Sequence, residues 1–321
     1  MKIIYIVLLC LIFSDFTSAQ EIKLPDLQQV QVLQHLRNSI AIDLFYNKNG
    51  QLTFKVGNEI STEADSLKSM LLKPLSAFSN STIDNGFIKI VLSADEAIKM
   101  YDVEVLFQEL KRLDLRKIIF VATSKDDQKN DSWSKTGFMS YLLQFDRKEA
   151  EAFYKRRNLP TKKFERISTF IIEKRKKEAE RLNPPSPQAD PEIPPEPRVE
   201  TARRTEKSLK RNYPKAKVIN VEISSKKKIK VNGKKIKPND LNDFLLKEFL
   251  NGPCIVLLKT ERKVSYGKYL VGRSSVVIMV DEARNKYSLE KYNKNFESLD
   301  WRSKKVVSKE IPHLYLSEIV D

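Results

Sequence analysis

The stretch that decides the fold is GPCIVLLKTERKVSYGKYLVGRSSVVIMVDEARNKYSLEKYNKNFESL, residues 252–299. The apolar run at residues 254–258 has the length and composition of a buried strand. A charged turn follows it, and Tyr266-Gly267 then opens a long segment that ends in the pattern KY-x-K-x-FE-x-L. This order predicts a strand, a turn and a second element that packs back on the strand.

The segments before this stretch have the same organisation twice. Residues 217–250 contain two short runs of alternating apolar residues, at 219–223 and 229–231, and then an Asn232-Gly233 turn. A helix is predicted to start at Pro238. Residues 40–124 predict a hairpin, a helix interrupted by Pro74, a strand, a second helix and a closing strand at 118–122. The repeated order indicates a diverged internal duplication. The second copy is expected to lack the closing strand, which its tail at residues 288–321 replaces.

Three motifs resemble the soluble domain of the ExbD/TolR biopolymer-transport family. LLKTERKVSYG (257–267) resembles the family's strand, turn and helix start, with Glu261 where the family generally has Asp. VNGKKIKPNDL (231–241) resembles its Asn-Gly turn, and the KY-x-K-x-FE-x-L tail resembles its long-tailed branch. In the first copy, IVLSADEAIKMYD (90–102) resembles the same element with Asp102 at the usual Gly and one residue inserted before Tyr101.

The resemblance implies an α+β protein with two small ExbD/TolR-like domains. Each would have a mixed sheet with two helices, and a helical segment and a Pro-rich linker would join them. It also implies a helix at residues 276–280, although VVIMV has the β-branched composition of a strand. The expected division is a signal peptide (1–19), a lead-in helix (20–38), a first domain (39–124), a basic helical segment (125–182), a Pro-rich linker (183–200) and a second domain with a helical tail (201–321).

The N-terminus has the pattern of an export signal. Lys2 precedes an apolar run at residues 3–13, and Thr17 and Ala19 are small residues at the positions that a signal peptidase reads. The run is shorter than the ~20 residues that cross a bilayer as a helix. Cleavage after Ala19 and a periplasmic location are therefore predicted, with an uncleaved inner-membrane anchor as the alternative.

Five residues at the two strand-to-helix turns are candidate partner contacts, because the resemblance implies such a role for them: Asp95, Tyr101, Glu261, Tyr266 and Gly267. For Asp95 and Glu261 a second interpretation is capping of the following helix, in which the carboxylate accepts hydrogen bonds from free backbone N–H groups. Capping is the interpretation that this mechanism favours.

The resemblance implies a role in binding without energy conversion. Family members carry a transmembrane helix with a functional aspartate, whereas the apolar run here is short and signal-like. The expected function is that of a non-catalytic periplasmic protein that binds ExbB/ExbD/TonB-like components of a proton-motive-force system for outer-membrane transport. Its two domains would pair within the chain, or two chains would form a homodimer. The alternative is a peptidoglycan-binding protein, which the net charge of +16 would suit.

The sequence contains no pattern typical of an active site. His35 and His313 do not have metal-ligand spacing, and neither a phosphate-binding glycine loop nor a nucleophile motif occurs. Cys254 lies in an apolar run and is expected to be a small buried hydrophobe. We therefore predict no enzyme activity, no cofactor, no metal and no nucleic-acid partner.

Overall fold

The computed structural model describes residues 22–27, 38–84, 86–124, 136–139, 147–182, 205–226 and 229–320. The expected signal peptide (1–19), most of the lead-in segment (28–37) and the Pro-rich linker (183–200) lie outside these ranges. The described part is an α/β protein with two mixed sheets, each of which belongs to one of the two predicted units.

The first unit begins with a hairpin and continues with alternating helices and strands. The hairpin turn is tight because the Asn47 side chain accepts hydrogen bonds from the N–H groups of Asn49 and Gln51, and Gly50 has a φ of 72°. Pro74 lies near the end of the first helix, which stops at Leu75 as expected. The elements are β1 (Asp26–Leu27), β2 (Ser39–Tyr46), β3 (Leu52–Val56), β4 (Glu59–Ser61), α1 (Leu67–Leu75), α2 (Asn80–Asp84), β5 (Lys89–Ala94), α3 (Met100–Arg112), β6 (Lys117–Ser124) and β7 (Thr136–Met139).

The segment predicted to be helical and basic (125–182) contains two helices, α4 (Arg147–Arg156) and α5 (Ile167–Leu182). The prediction is wrong for residues 136–139, which form the strand β7. Helix α4 buries Phe153 and Tyr154 in a small apolar cluster that also includes Val105 of α3. Helix α5 is held against the first unit through Arg175, whose guanidinium donates to the backbone carbonyls of Ser76 and Phe78.

The second unit repeats the element order of the first. Asn232 and Gly233 both have positive φ angles, 50° and 80°, as a two-residue hairpin turn requires. The elements are α6 (Glu206–Asn212), β8 (Lys217–Ile223), β9 (Ile229–Val231), β10 (Lys234–Ile236), α7 (Pro238–Leu250), β11 (Cys254–Glu261), α8 (Tyr266–Tyr292), α9 (Trp301–Glu310) and β12 (Tyr315–Val320).

The two sheets have the same strand order, β6-β5-β2-β3-β4 in the first unit and β12-β11-β8-β9-β10 in the second. In the first sheet β5 pairs in parallel with both of its neighbours, β2 and β6, and in the second sheet β11 pairs in parallel with β8 and β12. The hairpin of each unit is antiparallel. Because β12 pairs with β11 as β6 pairs with β5, the expectation that the second copy lacks a closing strand is wrong. The strand YLSEIV carries Ser317 and Glu318 at exposed positions, which interrupt its apolar pattern, and α9 separates it from the long helix.

Two further expectations about individual segments have opposite outcomes. Residues 276–280 are helical within α8, as the resemblance implied, and burial of Val276 and Val280 offsets the low helix propensity of β-branched residues. Residues 22–27, by contrast, contain no helix, and Asp26–Leu27 form a strand, so the expected lead-in helix (20–38) is wrong for this described part. Asp26-Leu27 instead pair in parallel with β6, where Leu27 is buried.

The main helices of each unit cover one face of its sheet. The connections β2 to β5 and β5 to β6 join neighbouring parallel strands, and right-handed crossovers place both helices on the same face. Most of the buried apolar side chains of the two units belong to one contiguous cluster, which contains Leu92 at the centre of β5 and Leu258 at the centre of β11. The two units therefore share a core.

We expect Leu92→Ala and Leu258→Ala each to lower the free energy of unfolding by about 2–5 kcal/mol, because both side chains are fully buried. Since the core is shared, either variant should shift one common transition in urea unfolding followed by circular dichroism. The control is Lys259→Ala, whose half-buried side chain is outside the core and whose loss should cost less than about 0.5 kcal/mol. Two separate transitions, each sensitive to only one leucine, would contradict a shared core.

Candidate functional site

The two strand-to-helix turns face each other and form a junction between the units, here called the turn seam (residues 96–101 and 262–267). Lys99 lies opposite Ser265 as in an antiparallel ladder. Four backbone hydrogen bonds cross the seam in two symmetric pairs: Met100 N to Val264 O (2.8 Å), Tyr266 N to Ile98 O (2.6 Å), Tyr101 N to Arg262 O (2.9 Å) and Gly267 N to Glu96 O (3.0 Å). The arrangement is that of a pseudo-twofold axis between Lys99 and Ser265.

These bonds satisfy a requirement of the two helices. The first N–H groups of a helix have no partner within it and need an acceptor from elsewhere. The residues preceding α3 and α8, Lys99 and Ser265, make no side-chain capping bond. The acceptors are carbonyl oxygens of the opposite turn, so each unit caps the helix of the other.

The hydrogen bonds also define which residues of the two copies are equivalent. Met100 donates across the seam as Tyr266 does, and Tyr101 donates as Gly267 does. Tyr101 is therefore the counterpart of Gly267, and the expected one-residue insertion before Tyr101 is wrong. The insertion came from aligning Tyr101 with Tyr266, whereas the backbone hydrogen bonds match Met100 with Tyr266.

Gly267 is needed because the backbone of the other unit approaches closely. A Cβ atom at this position would lie 3.1 Å from the Cβ of Glu96 and 3.4 Å from its carbonyl oxygen. Tyr101 occupies the equivalent place, and its ring is 42% exposed. The seam is therefore tighter on the side of α8 than on the side of α3.

Tyr266 joins the cores of the two units. Its side chain is fully buried, and its ring packs edge-on against Phe120 of β6, with 6.0 Å between ring centroids. Tyr269, one turn later, meets the same phenylalanine at 6.2 Å. Edge-to-face contacts of this kind add about 0.5–1.5 kcal/mol each to the burial of the rings. Met100, the counterpart of Tyr266, is also fully buried.

Asp95 and Glu261 lie just before the seam and stabilise its loops. Asp95 accepts hydrogen bonds from the N–H groups of Ala97 (2.9 Å) and Lys23 (3.2 Å). Glu261 accepts from the N–H and hydroxyl of Ser225, both at 2.9 Å, and the Ser225 N–H lowers the pKa of Glu261. These are side-chain caps of turns. The expectation that the two carboxylates cap α3 and α8 is wrong, because the opposite unit already supplies those acceptors.

Charged residues extend the contact beside the backbone bonds. Glu104 on α3 is 7% exposed and pairs with Arg262 of the other unit at 3.1 Å and with Arg156 at 3.4 Å. Arg157, which follows α4, places its guanidinium carbon 3.3 Å from the Tyr101 ring centroid and donates to the Tyr101 carbonyl. The end of α4 thus contacts the seam from the side of the first unit.

The hydroxyl of Tyr46, in the first unit, stabilises the turn that leads into α3. It donates to Asp102 at 2.5 Å and accepts from the Lys99 N–H at 3.3 Å. Burial, together with the Asp102 hydrogen bond, raises the pKa of Tyr46 to about 12. The hydroxyl therefore stays protonated, and remains a donor, throughout the neutral range.

All five residues selected from the sequence lie in or directly beside the seam, but the most important charged pair was missed. Glu104 and Arg262 carry no motif. A signal existed for Glu104, because it lies on the apolar face of α3 between Val103 and Phe107. A carboxylate at such a position usually has a buried partner. Nothing in the sequence identified Phe120 as the residue that contacts Tyr266.

Among the described residues, three features would bear on function: a metal-binding cluster, a reactive thiol at Cys254 and a membrane-spanning helix. Within them no cluster of three or more His, Cys, Asp or Glu side chains has a geometry that would hold a metal ion. Burial raises the pKa of the Cys254 thiol to about 11, which keeps it protonated and unreactive at neutral pH. None of the described helices combines the length and apolarity needed to span a membrane.

We expect the double variant Lys99→Cys/Ser265→Cys to form a disulfide spontaneously. The two residues are a non-hydrogen-bonded antiparallel pair, whose Cα atoms are typically about 4.5 Å apart. That separation is within the range of native disulfides. Non-reducing peptide mapping by mass spectrometry would detect the link. Lys89→Cys/Ser265→Cys is the control, since Lys89 begins β5, roughly 17 Å along the strand from the turn. Equal cross-linking of both variants would contradict the seam.

We expect Tyr266→Phe to reduce the loss of stability at alkaline pH. Burial raises the pKa of Tyr266 well above its ordinary value, so above about pH 10 the hydroxyl ionises only in the unfolded chain. Wild-type stability then falls as pH rises, by about 1.4 kcal/mol per pH unit for this group. Urea unfolding across this range would measure the difference between the variant and the wild type. The half-buried Tyr213→Phe is the control, and an alkaline slope identical in Tyr266→Phe and wild type would refute the prediction.

Comparison with known proteins does not assign a function to the turn seam. The chain matches no protein-family model, no curated protein and no solved structure. The site is therefore characterised by its contacts: two helix N-termini that cap each other, one buried aromatic contact and one buried ion pair.

Proposed function

We propose that the protein is a non-catalytic, exported interaction protein with two ExbD/TolR-like domains. It would associate with ExbB/ExbD/TonB-like components of a proton-motive-force system that energises outer-membrane transport. In this proposal the two units form, within one chain, the pair that two separate copies of such a domain would form.

The observation that carries the proposal is the reciprocal backbone pairing of the two turns. The motif that resembles the family, LLKTERKVSYG, is the segment that forms one side of the seam, and its counterpart at residues 91–101 forms the other. Identical strand order in the two sheets supports treatment of the units as copies of one domain. A chain that already contains its own pair has one composite surface to present to a partner.

A binding role is also supported by the chemistry of the described residues. The carboxylates at and beside the seam, Asp95, Glu104 and Glu261, all have protein partners. In these positions the carboxylates hold the backbone and the helices in place. The energy-converting part of the family's function, which needs a membrane helix with an aspartate, is not included in the proposal.

A peptidoglycan-binding protein is the second candidate, and the charge of the chain favours it. Lys and Arg exceed Asp and Glu by 16 residues, and anionic wall polymers would attract such a surface. This attraction would weaken with salt, because exposed charges are screened beyond about 10 Å at 0.1 M ionic strength. A protein partner bound through a defined surface would be less sensitive to salt.

Affinity purification from cross-linked cells separates the two candidates. The chain would carry a C-terminal tag, and N-terminal sequencing of the recovered protein would report whether cleavage occurs after Ala19. We expect recovery of membrane-channel components of an ExbB/ExbD/TonB type. Recovery of wall fragments alone, lost at high salt, would support the second candidate and contradict the first.

Arg262 provides the matched variants for this experiment. Arg262→Glu places a second carboxylate beside the buried Glu104 and should open the seam. We expect it to lower partner recovery at least tenfold, whereas Arg262→Lys retains the charge and should lower it less. Circular dichroism would verify that both variants remain folded. Undiminished recovery with a folded Arg262→Glu would show that the paired units are not the binding surface.

A further inference from the structure

Helix α9 presents an outward face whose composition is not explained by the fold. Five exposed residues lie on this face: Trp301, Arg302, Lys305, Val306 and Lys309. With 3.6 residues per turn, their spacing places them side by side, opposite the fully buried Val307. Trp301 is 72% exposed and Val306 is 41% exposed. The combination is two apolar side chains among three cations, and the one exposed carboxylate of the helix, Glu310, lies at its C-terminal end beside Val306.

The helix is held in place by its other side. Asp300 caps it by accepting hydrogen bonds from the N–H groups of Arg302 (2.8 Å) and Ser303 (3.1 Å). At its end, Ile311 is buried and its carbonyl accepts from Arg284 of α8 at 3.0 Å. The five outward residues are therefore displayed on a rigid support and contribute little to packing.

The cations on this face are not used for pairing with described residues. Lys304, on the flank of the helix, forms an ion pair with Glu297 at 3.4 Å, but Arg302, Lys305 and Lys309 form none with the described residues. Lys305 instead holds its ammonium 5.1 Å from the ring centroid of Trp301. An exposed tryptophan beside unpaired cations is suited to a surface that has an anionic outer layer and an apolar interior.

We propose that this face of α9 binds the surface of an anionic phospholipid bilayer. Indole rings favour the headgroup level of a bilayer, and Lys and Arg beside them reach the phosphates. Cations on an amphipathic helix are attracted to anionic lipid, and the apolar residues enter the headgroup boundary.

The spacing of the apolar residues argues against an acidic protein groove as the occupant. Helices that bind in a groove use apolar anchors three, four and seven residues apart. Trp301 and Val306 are five residues apart, and the positions four and eight residues after Trp301 are lysines. A flat surface accommodates this pattern because it contacts all five side chains at once. The inference goes beyond the proposed function, since the turn seam plays no part in it.

The test uses the full chain with Trp133→Phe, so that Trp301 is the one remaining tryptophan. The probe is a suspension of vesicles of phosphatidylglycerol and phosphatidylcholine in equal parts, compared with vesicles of phosphatidylcholine alone. We expect a blue shift of Trp301 emission and sedimentation with the anionic vesicles, both reduced by salt. Equal binding to the two vesicle types, or unshifted emission on sedimented protein, would overturn the proposal.

Charge variants test the face itself. Arg302→Gln/Lys305→Gln/Lys309→Gln should weaken vesicle binding on the order of 100-fold. The control, Lys174→Gln/Lys176→Gln/Lys177→Gln, removes the same charge from exposed positions of α5 and should weaken it by less than about threefold. Equal losses in the two triple variants would overturn the assignment to α9. A Trp301 emission shift caused by poly-glutamate but not by anionic vesicles would replace the bilayer with an acidic protein.

Discussion

The structure depends on the need of two helix N-termini for hydrogen-bond acceptors. Helices α3 and α8 both begin directly after a central strand, and neither is capped by a side chain. Each unpaired N–H group buried at such a junction would cost about 1–3 kcal/mol. The opposite turn supplies carbonyl oxygens to both helices, so neither unit is complete without the other. This reciprocity joins two diverged copies into one body with a continuous core.

The two units differ in their side chains at the seam. On one side, Tyr266, Tyr269 and Phe120 form a buried aromatic contact. In the matching register of the second sheet, the residue equivalent to Phe120 is the exposed Ser317. The pseudo-twofold axis thus relates backbones but not side chains. One side of the seam is an apolar core, and the other carries Tyr101 with Arg157 stacked on it.

Because of this asymmetry, some residues of the seam are buried in the core, whereas others are exposed on the surface. The side chain of Tyr266 is buried in the core, whereas Tyr101 is 42% exposed and its ring stacks with Arg157, which follows α4. Helix α9 lies near the far end of α8 and presents a second surface of different chemistry. A protein built in this way can bind through the paired units and separately orient itself on another surface.

The sequence alone determined the element order and most of the fold. Alternation of apolar residues located the hairpins, Asn-Gly marked a turn with two positive φ angles, and Pro74 marked a helix end, because these signals depend on a residue's own conformation. The five candidate partner contacts that it suggested lie at or beside the seam. It missed β12, whose exposed polar residues interrupt the apolar pattern, and the buried pair of Glu104 with Arg262.

Only the tertiary structure decided how the two units meet. The seam consists of backbone N–H and C=O groups, which every residue except proline carries, so its hydrogen bonds have almost no signature in the sequence. The register between the copies followed those bonds and not the shared tyrosines. Gly267 is the exception, because a Cβ atom there would lie 3.1 Å from the Cβ of Glu96, which is closer than most side chains pack. Patterns along the chain report local periodicity, whereas contacts between distant backbones depend on the packing of both units.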